Sequence, residues 1–141
     1  MMKLQKIGLA ALSVFALASC AQSESSGGVK GYLTGHGFTD ANISIMTGDA
    51  YKKTQSEGFV ADGLKEYLSA SRSTGEGELP EQFYCWFFDS IDQADKFVKD
   101  YVGDMYYSLE GRCKDPRMGS RNNTAWAGTN SIAVGLGWAM A

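Results

Sequence analysis

Residues 82–88 (QFYCWFF) are aromatic-rich and almost continuously apolar, with Pro80 before them and Asp89 after. A run this short and this apolar reads as a central strand covered on both faces. Successive strand side chains point opposite ways, so Phe83, Cys85 and Phe87 are expected on one side and Tyr84, Trp86 and Phe88 on the other. The period then changes. In residues 91–108 (IDQADKFVKDYVGDMYYS), Ile91, Ala94, Phe97, Val98, Tyr101, Val102 and Met105 recur at three-and-four spacing, which predicts an amphipathic helix. Asp89 or Ser90 is placed to cap its free amides, and Asp92 and Asp95 lie near the positive end of its dipole. Gly103 weakens the last turns and Gly111 is the expected stop. This strand-to-helix unit is the expected folding nucleus.

The rest of the chain carries weaker patterns. Residues 41–46 (ANISIM) alternate apolar Ile43 and Ile45 with polar Asn42 and Ser44, as a half-buried strand does. Val29, Tyr32, Leu33 and His36 share a helical face, although Gly31 and Gly35 weaken that helix. Within residues 59–71, Val60, Leu64, Tyr67 and Leu68 predict a second helix ending near Arg72 and Gly75. A polar loop, STGEGELPE, follows. At the C-terminus, residues 131–139 (SIAVGLGWA) put Ile132, Val134, Leu136 and Trp138 on one face and small residues on the other, which reads as a strand with a nearly bare side. These elements predict a small single α+β domain, a three- or four-stranded sheet packed by two or three helices on one face.

The N-terminus is organised differently. Lys3 and Lys6 precede an eleven-residue apolar run, residues 7–17 (IGLAALSVFAL), after which come small Ala18 and Ser19 and then Cys20. That is the layout of a secretory signal peptide, and the run is far short of the roughly 20 apolar residues a spanning helix needs. Leu17, Ala18, Ser19 and Cys20 resemble the lipobox of bacterial lipoprotein precursors: an aliphatic residue, two small ones and the modified cysteine. The resemblance covers only the export segment. It implies that residues 1–19 are removed, that Cys20 becomes the first mature residue and that its sulfur and amino group carry fatty-acyl chains such as palmitate. Ala21, rather than Asp, follows the cysteine, which the resemblance associates with the outer membrane, facing the periplasm. Residues 21–28 (AQSESSGG) hold no large apolar side chain, so residues 20–28 are expected to be a flexible tether and 29–141 the folded domain.

All sixteen acidic residues lie after Cys20, whereas two of the thirteen basic ones precede it, giving a mature side-chain charge of 11 minus 16, or −5. Nucleic acid is therefore an unsuitable partner. The charge is uneven: residues 40–110 carry fourteen acidic and six basic side chains, while GRCKDPRMGSR sets Arg112, Lys114, Arg117 and Arg121 against Asp115 alone. Those four cations, with Trp126, form the candidate binding set for an acidic partner such as phosphate-bearing lipid or polysaccharide. A solvated loop that offsets the acidic body is the simpler alternative.

With Cys20 lipidated, Cys85 and Cys113 are an even pair in a compartment where disulfides persist, and they are expected to bond. Closing a 29-residue loop would stabilise the fold by about 3.6 kcal/mol. His36 is the only histidine, and the sequence has no CxxC or HxxxH spacing, so neither a metal site nor a catalytic thiol is expected. The expectation is thus a non-enzymatic envelope lipoprotein without cofactor, held on the membrane through Cys20 and binding an envelope protein or peptidoglycan. The alternatives are a small-ligand or anion binder, using the bare C-terminal face with Arg117 or Arg121, and a small periplasmic hydrolase using His36.

Overall fold

The computed structural model of the protein describes residues 24–139. The chain begins with α1 (Ser26–Gly35), passes through a single 3₁₀ turn (Asp40–Asn42) into β1 (Ile43–Thr47), and continues with α2 (Gly48–Lys53), β2 (Leu64–Arg72) and β3 (Glu81–Phe88). Next come α3 (Ile91–Phe97), a π-helical turn (Val98–Val102) and α4 (Gly103–Leu109), then β4 (Pro116–Arg121), β5 (Thr124–Thr129) and α5 (Asn130–Gly135). The five strands form one antiparallel sheet in the order β1-β2-β3-β5-β4. The fold class is α+β, as expected. The sheet has five strands rather than three or four, and helices cover both of its faces rather than one.

β3 sits at the centre and divides the interior in two. Tyr84, Trp86 and Phe88 point to one core, together with Tyr67, Ala125, Ala127 and, from the α3–α4 segment, Ala94, Phe97 and Val102. Phe83, Cys85 and Phe87 point to the other, where Leu68, Ala70 and Trp126 meet Val29 and Leu33 of α1 and Ile132 and Ala133 of α5. Partner choice follows side-chain size. Trp86 lies opposite Ala125 and Tyr84 opposite Ala127, so β5 is nearly bare on the α3 side and the helix approaches closely. On the reverse side, small Cys85 lies opposite Trp126.

The helices start where short polar side chains satisfy free amides. Ser25 accepts from the Gly28 amide, Thr47 from Ala50 and Ser90 from Gln93. α3, the π turn and α4 together realise the helix expected over residues 91–108, and Gly111, at φ 78°, follows its end. α1 begins at Ser26, so Ser26, Gly27 and Gly28 are helical here rather than part of a flexible tether.

Two other expectations fail. The segment predicted as a helix over residues 59–71 instead supplies β2. A bulge between Leu64 and Glu66 turns Leu64 to the face shared with Tyr67, leaving Leu68 and Ala70 on the other. Apolar spacing around such a bulge imitates a helix, and pairing with β3 decides against it. Residues 131–139, expected as a strand, form α5 instead. Ile132 and Leu136 are four apart and share a face in either conformation. The terminating turn decides the outcome: Gly137 is at φ 81° and the Trp138 amide donates to the Ala133 carbonyl at 2.7 Å.

At Gly128 β5 runs close against β3: a Cβ there would stand 2.3 Å from the Gln82 carbonyl oxygen and 2.7 Å from the Phe83 Cα. Both neighbours are backbone. Gly128→Ala is therefore expected to destabilise the domain by about 1–3 kcal/mol, read as an earlier urea midpoint, whereas Gly58→Ala, which meets no atom within 4 Å, should cost less despite its positive φ.

Candidate functional site

Two features stand out at the end of the sheet where β2 and β5 begin and β3 and β4 finish. The first is a clamp on the N-terminal chain. The β4–β5 hairpin turns through Asn122, at φ 52°, a left-handed conformation that asparagine tolerates. Its Nδ2 donates to Glu24 Oε2 at 2.9 Å. The neighbouring Asn123 is 7 % exposed; its Oδ1 accepts from the Glu24 amide at 2.7 Å, and its Nδ2 donates to the carbonyls of Glu24 and Phe88. Arg121 Nε lies 3.9 Å from Glu24 Oε2, and Ser26 Oγ donates to Glu66 Oε1. One asparagine thus joins the entering chain to the end of the central strand. Residues 1–23, on which the expected signal peptide, Cys20 and the start of the expected tether fall, lie outside the described residues. Glu24 follows Cys20 by four positions, which even a fully extended chain spans in at most about 14 Å.

The second feature is a cavity of about 380 Å³ beside that end, between residues 60–62 and α3. Ala61, Phe88 and Phe97 form its buried apolar floor, the two rings 5.1 Å apart between centroids, and Val60 is 69 % exposed beside it. Asp62, Asp92 and Asp100 supply carboxylates, and Lys96 is ion-paired to Asp100. Gln93 also lines the cavity, packed on Gly63, whose φ of 78° and missing Cβ leave room for the amide. Its Oε1 is shut off from solvent and accepts no hydrogen bond. A buried carbonyl oxygen without a donor costs about 1–3 kcal/mol, so a donor reaching it gains more than it would from a solvated group.

The sequence-derived candidates are dispersed. Arg112 and Lys114 are exposed on the loop before β4; Arg117 is paired with Asp115 at 2.8 Å and Arg121 faces Glu24. Four cations adjacent in sequence therefore do not converge on one anion site. Trp126 is 3 % exposed and stacked on Phe83 at 6.0 Å, with Gly119 over its ring, so it belongs to the core and not to a binding surface. No arginine-lined concavity forms on a bare C-terminal strand, because that segment is α5 and Gly135 abuts the Tyr32 hydroxyl. His36 is exposed at the end of α1, its ring stacked on Tyr32 at 4.0 Å and its Nδ1 2.8 Å from the Tyr32 carbonyl. Its own turn holds the ring. Of the loop glutamates, Glu81 is engaged by Arg72 at 2.8 Å.

The expected Cys85–Cys113 bond is absent: both thiols are free and buried, Cys85 in the α1–α5 core and Cys113 in the α3–α4 core. The sheet lies between them. Burial raises both thiol pKa values, Cys85 the more strongly, so neither is poised as a nucleophile. Nothing in the sequence pattern marked residues 60–62 or Gln93 as a site, since the cavity joins a loop to a helix start about thirty residues later. The clamp had one signal, the Asn-Asn pair at a hairpin turn.

No family model, curated protein or solved structure matches the chain. Two outcomes follow from the geometry. Neither thiol should react with a maleimide reagent until the domain is unfolded, and reductant should leave the melting temperature unchanged; a slow thiol that appears only after reduction would instead reveal a bond. Asn123→Ala should cost about 1–3 kcal/mol in urea unfolding, because the Phe88 carbonyl and both backbone groups of Glu24 lose their partner.

Proposed function

We propose that the chain is a lipid-anchored protein of the bacterial envelope, on the outer membrane facing the periplasm, whose single domain is a non-enzymatic binding or assembly module. The clamp on Glu24 supports this most directly. A chain that enters the fold four residues after an acylated cysteine, and is fixed there by the Asn123 side chain ninety-nine positions away, holds the domain against the bilayer rather than at the end of a loose leash. One acyl chain binds reversibly while two or three bind stably, so the lipids supply retention and the clamp supplies orientation. The hairpin end of the sheet then faces the membrane. The remaining surface is left for a protein or peptidoglycan partner.

Small-ligand binding is the second reading, and the cavity beside α3 favours it. Its carboxylates turn that reading away from anions. Hydrolysis has less support, because His36 is held by its own turn and both thiols are buried.

Expression of the full precursor in a diderm bacterium with radiolabelled palmitate tests the anchor. The wild-type protein should be labelled and partition into detergent, and Cys20→Ala should be unlabelled and released with the soluble fraction. An unlabelled wild-type protein ends the proposal.

A further inference from the structure

We draw no further inference here: the strongest candidate, the uncharged outer edge of β1 with Ile45 37 % exposed at its centre, carries nothing, because nothing in the structure shows what covers it.

Discussion

The structure depends on a central strand that is buried on both sides. β3 forms antiparallel ladders with β2 and β5, and its alternating side chains feed two separate cores. Neither core is self-sufficient. Trp86, fully buried, is surrounded by Tyr51, Tyr67, Phe97 and Tyr101 on one side of the sheet, while Phe83 and Phe87 meet the α1–α5 pair on the other. A one-residue slip of β3 would exchange the two sets of side chains and leave Cys85 where Trp86 is needed. The register of this strand is thus coupled to every helix in the domain.

The same strand links packing to function. Phe88, its last residue, contributes to the cavity floor with its ring and receives Asn123 of the clamp at its carbonyl. Cavity and entering chain meet at one residue. Part of the acidic excess noted in the sequence lies here, at Asp62, Asp92 and Asp100. The four basic residues are scattered over β4 and the loop before it, all of them exposed, with Arg117 paired to Asp115 and Arg121 to Glu24.

Legibility in the sequence followed local completeness. The α3–α4 helix was evident because seven apolar positions keep one period and a capping serine stands before them. β3 was evident because its run is too short and too apolar for anything else. β4 and β5 were not, since PRMGSR and TAWAGT are short on bulky apolar residues, and their small residues matter only once a neighbouring helix or strand lies against them. The disulfide expectation counted cysteines correctly and paired them wrongly, because spacing says nothing about which face of a sheet each thiol occupies. The cavity was invisible for a similar reason: Asp62 and Gln93 acquire meaning only when a loop and a helix start are brought together.

By itself the sequence determined the α+β class, the central strand, the main helix and the lipobox resemblance, all of which are carried by contiguous residues whose periodicity or order is the physical signal. Only the tertiary structure decided the five-strand order, the two-sided core, the separation of the thiols, the burial of Trp126 and the meeting of clamp and cavity at Phe88. Those depend on strand pairing between distant segments. A period of two fixes which way a side chain points from its own strand, but its neighbours are supplied by the rest of the fold.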